Sequence, residues 1–449
     1  MRRLIFSDLL ANAGLWGGVL AVAAAAAASL SVAAGLIATG IGLPLLQTLA
    51  LAVLGSAVVL LTVIAALVVL GSVTRLTVTL QRRGYALWQL VGMNPAAVAA
   101  VVRVQLTLVA LVGGALGCAV AAPFVPPFLL FGLTGSAGLD GITARFGVTS
   151  AAIVVLLVAV VVLVSSLGAT RRAARTRPIE ALREPQRQEG RMTVPRWIVA
   201  GLLVVVAGSM VVSLGGGDLA RGGSQVLLIG PLVTAAVATT GPALFPAVLR
   251  LWTRVVPERV SASWFLARND AAYEASRSAA TTSALVVTIA LPGSIYAGFF
   301  TFGNAVTVAT GVPASSLAPQ AFLLLLGGPL LLSLTGAAAT IAMANRARER
   351  QSALVRAAGG TPGLVLLAAV WEAVIQVGTA LIVSLLIMAV TGVAEAAALN
   401  AVAPGTAPEF GIGAAASALA VSAVLVLAAT TLPALLGSRR SVREVLAAD

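Results

Sequence analysis

The sequence predicts an all-α polytopic membrane protein with about ten transmembrane helices, and three observations carry that prediction. Hydrophobic residues make up 59% of the 449 positions, charged residues 10%, and mean hydropathy is +1.05. That balance requires lipid around most of the chain. The apolar residues fall in runs of roughly 20 or more, enough for a helix rising about 1.5 Å per residue to cross about 30 Å of hydrocarbon. The basic residues, all of them Arg, gather between alternate runs, the pattern of a chain that keeps its positive loops inside.

The runs are read as spans at 13–38, 44–73, 95–122, 149–168, 197–214, 225–249, 278–302, 319–344, 362–391 and 411–436. For the first run two readings stand. Arg2 and Arg3 ahead of an Ala-rich stretch fit a cleaved signal peptide. A retained span is favoured, because Asp8 and Asn12 interrupt the approach and a counterpart span opens at Ser278. With the N-terminus cytoplasmic, only Arg145 and Arg221 fall outside, and the even number of spans returns Arg439, Arg440 and Arg443 to the cytoplasm. Asp140, Asp218, Glu395 and Glu409 are then external. The expected location is the bacterial plasma membrane, with both termini inside.

Composition excludes several chemistries. The formal charge of +13 is spread over short cytoplasmic segments, so anionic lipid headgroups and a docked protein are the expected partners, and nucleic acid is not. Without Lys the chain cannot form a P-loop, whose lysine reaches the terminal phosphates. Without His, and with Cys118 as its one cysteine, it has no His-based triad, zinc cluster or internal disulfide. Cys118 reads as a small packing residue. No enzyme activity and no cofactor are expected on this chain.

The sequence also repeats itself. RRGYALWQLVGMNPAAV, from Arg82 to Val98, returns in outline as RERQSALVRAAGGTPGLV from Arg348. Arg83 pairs with Arg350, Leu87 with Leu354, Gly92 with Gly359, Pro95 with Pro362, and Gln105 with Glu372. The basic tail RRAARTRPIEALR at 171–183 likewise resembles RRSVREVLA at 439–447. The expected organisation is a four-span unit at 1–183, a two-span linker at 184–260 and a second four-span unit at 261–449. An even number of spans precedes the second unit, so both units enter the membrane in the same direction, as a parallel repeat.

Each motif copy has a physical reading. Leu87, Leu90 and Val91 share one side of a short helix, with Tyr85 and Trp88 beside them and Arg82 and Arg83 at its start. Gly92 stops the helix in a left-handed conformation, and Asn94 caps the next span with Pro95 in its first turn. In the second copy Leu354, Ala357 and Ala358 form the face, Gly359 the stop, and Thr361 with Pro362 the restart. A lone segment of this kind reads as an interfacial helix on lipid. Two copies at symmetric positions favour docking onto a two-fold partner.

Among other residues, Glu372 is the one acid inside a predicted span, with Gln376 one turn on. It is read as a structural bond, with Arg103 as a candidate partner, or as a substrate or gating group. Gly113, Gly114 and Gly117 form a close-packing face. Gln47 and Asn304 sit at the outer ends of spans, where a polar residue either touches a substrate or, more commonly, faces water. The external segment 123–147 is too apolar for an ordinary loop, and it reads as an outer-leaflet cap or an interfacial helix. The linker at 171–196 reads as a headgroup-bound connector.

These residues carry a resemblance. RRGYALWQLVGMNPAAVAAVVRVQLTLVALVGGALG resembles the signature region of the FtsX-like permease family, the membrane subunits of MacB-type ABC transporters. RERQSALVRAAGGTPGLVLLAAVWEAVIQVG resembles a second copy. The ten-span arrangement is similar to that of bacitracin-exporter permeases. The resemblance implies two parallel four-helix FtsX-like units plus two linking helices, with coupling helices at Tyr85 to Val91 and Ala353 to Ala358. It further implies two copies of a cytoplasmic ABC ATPase that bind ATP and Mg. The family's intramembrane Glu corresponds to Glu372, where the first unit has Gln105. The loops after Thr39 and Phe302 are too short for the family's ectodomain. The implied function is export of an amphipathic or hydrophobic substrate such as a peptide antibiotic, lipid or drug, with antibiotic resistance as one outcome. A secondary transporter, or a module reporting antibiotic stress to a sensor kinase, are the alternatives.

Overall fold

The computed structural model describes residues 2–134, 142–174, 194–216, 219–257, 261–273, 275–312 and 319–438. Their regular structure is entirely helical. The helices are α1 (Arg2–Ala11), α2 (Ala13–Gly40), α3 (Leu45–Leu80), α4 (Arg82–Leu90), α5 (Pro95–Ala121), α6 (Val125–Leu133) and α7 (Val148–Ala174), then α8 (Val194–Gly216), α9 (Leu219–Thr253), α10 (Ala262–Tyr273), α11 (Ala275–Thr310), α12 (Pro319–Ala357), α13 (Pro362–Asn400) and α14 (Ile412–Ser438). Ten of them are long and apolar enough to cross a membrane, and they fall on the ten predicted runs. Several overshoot: α13 has 39 residues, about 58 Å of helix, and continues well past the predicted end of its span. Most of the linker at 171–196 and the tail from Arg439 lie outside the described residues, as do Asp140 and Asp218.

By contacts the chain forms two compact units, one of residues 1–186 and 315–339, the other of 187–314 and 340–449. In unit 1, α2 packs on α3, α5 and α7. The predicted glycine face is what allows its approach to α5. A Cβ on Gly113 would lie 2.8 Å from the Leu20 carbonyl oxygen, and one on Gly117 only 2.2 Å from that of Ala24. Gly114 faces Val155 of α7 instead. The early part of α12 joins the same unit through small residues, with Ser29 Oγ donating to the Gly328 carbonyl at 2.9 Å. The first part of the segment after Ala122 forms α6, and residues 142–147 carry no regular structure. Val125 and Leu129 of α6 pack over Gly35 of α2, while Phe124 and Phe131 stay exposed. Cys118 is buried, as a packing residue would be.

Unit 2 has α11 at its centre, packed on α9, α13 and α14. At one end Trp252, Trp264 and Trp371 stack edge to face, with centroids 6.3 and 5.3 Å apart, and Trp252 Nε1 donates to Thr379 Oγ1 at 2.9 Å.

The two units share one detail at the start of their last spans. The Arg145 N–H donates to Thr39 Oγ1 at 3.0 Å, and the Glu409 N–H donates to Thr301 Oγ1 at 3.0 Å. Each donor begins a short motif, Arg145-Phe146-Gly147 or Glu409-Phe410-Gly411. The backbone turns into the final span at the same place in both units.

Gly117→Val should force α2 and α5 apart and lower the apparent unfolding midpoint in detergent, at a cost of about 1–3 kcal/mol from overpacking. Gly17→Ala, with nothing within 4 Å of its Cβ position, should leave the midpoint unchanged.

Candidate functional site

Both motif copies end in the same backbone geometry. In the first, the Gly92 N–H donates to the Gln89 carbonyl at 3.0 Å and the Met93 N–H to the Trp88 carbonyl at 3.0 Å, with Gly92 at φ +99°. In the second, the Gly359 N–H donates to Arg356 at 3.0 Å and the Gly360 N–H to Val355 at 2.9 Å, with Gly359 at φ +95°. These are paired Schellman stops, in which a glycine in the left-handed region lets the chain satisfy the last carbonyls. The restarts also agree. Asn94 accepts from the Ala96 N–H and Thr361 from the Leu364 N–H, each with Pro95 or Pro362 in the first turn.

The helices ahead of the stops differ. A separate short helix was expected in each copy, and α4 is one, set off from α3 by a break at Gln81. The second copy is the uninterrupted end of α12. Sequence explains the contrast: Thr77, Val78, Thr79 and Gly84 weaken the helix around the first break. Arg346 to Ala353 contains only good or acceptable helix formers, so nothing stops the turn.

Leu87, Leu90 and Val91 are exposed, at 52%, 53% and 90%, as is Leu354 at 58%. Ala357, Ala358, Gly92, Gly359, Pro95 and Pro362 are exposed as well. Trp88 is half-buried and stacks against Tyr85, with centroids 5.5 Å apart. Tyr85 itself departs from the expected face. It is buried at 1% exposure, and its hydroxyl donates to Gln81 Oε1. It therefore anchors α4 from beneath and offers no surface to a partner. The side chains of Arg83 and Arg350 lie outside the described residues.

Beneath α4 is a polar cluster that sequence spacing did not reveal. Gln105, fully buried, donates from Nε2 to Asp8 Oδ2 at 2.9 Å, while Asp8 Oδ1 accepts from Asn12 Nδ2 at 3.0 Å. Asp8 and burial together push the Tyr85 hydroxyl pKa well above its ordinary value, burial being the larger cause. In unit 2 the matching position works differently. Glu372 Oε1 accepts from Gln376 Nε2 one turn along α13 at 3.1 Å, and Trp371 and Trp264 occupy the neighbourhood. The Arg103 side chain is exposed. A second acid was missed altogether. Glu395 was placed in an external loop, but it lies in α13 and is fully buried, so Glu372 is not the only acid on a spanning helix. Among the described residues no cluster of His, Cys, Asp or Glu could hold a metal ion.

The family model of the FtsX-like permease C-terminal region matches residues 56–178. That stretch holds most of α3 and all of α4 to α7. No curated protein matches the chain. Residues 56–178 are thus similar to the C-terminal region of FtsX-like permeases, membrane components of ABC-type transporters that work with a cytoplasmic ATPase.

The chain has three tyrosines, so an alkaline titration followed by tyrosinate absorbance can isolate Tyr85 as the difference between wild type and Tyr85→Phe. Tyr85 should titrate well above pH 10 and only as the fold loosens. Because its folded pKa is raised, its contribution to stability is present below about pH 10, the unfolded value, and declines as pH climbs beyond it. Tyr85→Phe should lack that alkaline decline, and a Tyr85 that titrates at its ordinary value would contradict the buried anchor.

Proposed function

We propose that this FtsX-like permease is driven by two copies of a cytoplasmic ABC ATPase, which dock on Leu87, Leu90 and Val91 at the first motif and on Leu354, Ala357 and Ala358 at the second. The observation that carries this reading is the matched pair of exposed apolar faces, each followed by a Schellman glycine and a capped, Pro-led helix. Apolar side chains half or more exposed at a helix end are interaction surfaces when they come in contiguous groups. A helix-in-groove partner buries such a face with anchors at i, i+3 and i+4, the spacing of Leu87, Leu90 and Val91.

ATP and Mg would be bound by the ATPase and not by this chain, which lacks the lysine a P-loop needs. Closure of the paired ATPases would draw the two faces together. In the first half, movement of α4 would pass through Tyr85 to Gln81, the residue that joins α4 to α3. The tie of Asp8 to Gln105 joins α1 to α5 beside it. The internal duplication into units at 1–183 and 261–449, around a linker at 184–260, is supported by the matching stops and by the Thr39 and Thr301 bonds. With the motif ends cytoplasmic, as the Arg distribution favours, both termini lie inside the plasma membrane of a bacterium. Predominantly apolar spans favour an amphipathic or hydrophobic cargo taken from the membrane and exported, antibiotics among the candidates.

Leu87→Asp together with Leu354→Asp should abolish copurification of the ATPase, while Leu202→Asn, on the exposed side of α8, should leave it intact. Survival of the complex in the double variant would remove the docking assignment. Transport by the purified permease on an ion gradient, with no ATPase present, would favour a secondary transporter instead.

A further inference from the structure

Glu395 has no role in the docking reading, yet it is the most conspicuous polar group in unit 2. Its side chain is fully buried in α13, and among the described residues neither carboxyl oxygen has a hydrogen-bond partner. The packing around it is tight. A Cβ on Gly298 of α11 would lie 2.9 Å from Glu395 Oε2 and 2.6 Å from Val226 Cγ1 of α9. One turn back along α13, a Cβ on Gly392 would lie 3.2 Å from the Glu409 carbonyl oxygen, so the connection from α13 to α14 closes over this end.

No cation among the described side chains answers the carboxyl. Residues 279–310 of α11 and 412–435 of α14 carry no charge at all. Arg196 stands at the start of α8 and Arg250 near the far end of α9. The Glu409 side chain is exposed, Glu372 lies six turns back along α13, and Tyr296 sits on the opposite side of α11 from Gly298, against Phe300. The side chain of Arg221 lies outside the described residues.

A buried carboxylate that no described donor reaches is far more costly than a neutral carboxyl in the same place. We propose that Glu395 is a proton-binding site, which holds a proton while α9, α11 and α13 are packed together and releases it when they part. The release is a simple acid dissociation: the carboxyl O–H bond breaks, its electron pair stays on the oxygen, and the proton passes to entering water. Glu395 lies about 50 Å along α13 from Pro362, so proton exchange takes place at the end remote from the docking motif.

In the first half the corresponding place is apolar. Gly35, one turn before Thr39, is covered by Val125 and Leu129, as Gly298, just before Thr301, is covered by Val226 and Glu395. The proton site belongs to one half of the duplication only.

The test uses the full permease alone in lipid nanodiscs, so it does not depend on the ATPase assignment. Infrared spectra of wild type minus Glu395→Gln at neutral pH should show the C=O stretch of a protonated carboxyl, which fades reversibly in wild type at alkaline pH. Hydrogen–deuterium exchange over residues 401–411, compared between the two proteins at equal pH, should match at acid pH and rise at least threefold in wild type at alkaline pH. Absence of the protonated band at neutral pH overturns the proposal. So does a band accompanied by equal exchange in both proteins at every pH, which would make Glu395 a static buried acid. The wild-type titration stands on its own if Glu395→Gln does not fold.

Discussion

Lipid offers the backbone no hydrogen-bond partner, and that single constraint orders the rest of this structure. Every spanning segment must satisfy its own N–H and C=O groups, so each is helical and irregular backbone is pushed to the ends. Hydroxyl side chains inside the spans turn back onto their own helices, as Ser31 does to Ala27, Thr74 to Leu70, Thr234 to Gly230 and Ser422 to Ala418. With these hydroxyls thus occupied, association between the helices leans on close packing, for which small residues are required. Gly113 and Gly117 admit the backbone of α2, and Gly336 admits Val69. The exposed apolar faces of the two motifs lie where helices stop.

That is why the two motif copies matter more than their length implies. A Schellman glycine followed by a capped, Pro-led span makes a rigid corner, because the orphan groups of both helix ends are met within a few residues. A rigid corner with an exposed apolar face transmits displacement, whereas a floppy one would absorb it. In the first copy the corner is backed by Tyr85 on Gln81, with Asp8 on Gln105 beside it, and in the second by the unbroken length of α12.

Sequence reading recovered the parts of this arrangement that periodicity and end signals encode. Ten apolar runs became ten spanning helices, and Gly92, Gly359, Asn94, Thr361, Pro95 and Pro362 took their expected conformations, since caps and stops are local chemistry. Tyr85 was misplaced because an aromatic ring beside an apolar face looks the same in sequence whether it points inward or outward. The tie from Asp8 to Gln105 joins residues nearly a hundred positions apart, and no local pattern announces it. Glu395 was assigned to a loop because a span was cut at the length lipid requires, while α13, shielded by protein, runs on for two more turns.

The two units differ most clearly at their polar positions. Where unit 1 pairs Gln105 with Asp8 across two helices, unit 2 keeps Glu372 and Gln376 on one helix and fills the gap with three tryptophans. Where unit 1 seals Gly35 with Val125 and Leu129, unit 2 seals Gly298 with a carboxyl. A duplicated pair driven by two identical ATPases would move symmetrically if its halves had the same energetics. A polar tie in one half and an aromatic stack in the other give them different resistance to the same push, and the buried acid on which the proton proposal rests belongs to unit 2. The faces proposed for docking are alike in both halves, while the differences sit deeper in each bundle, where they would let one half yield before the other.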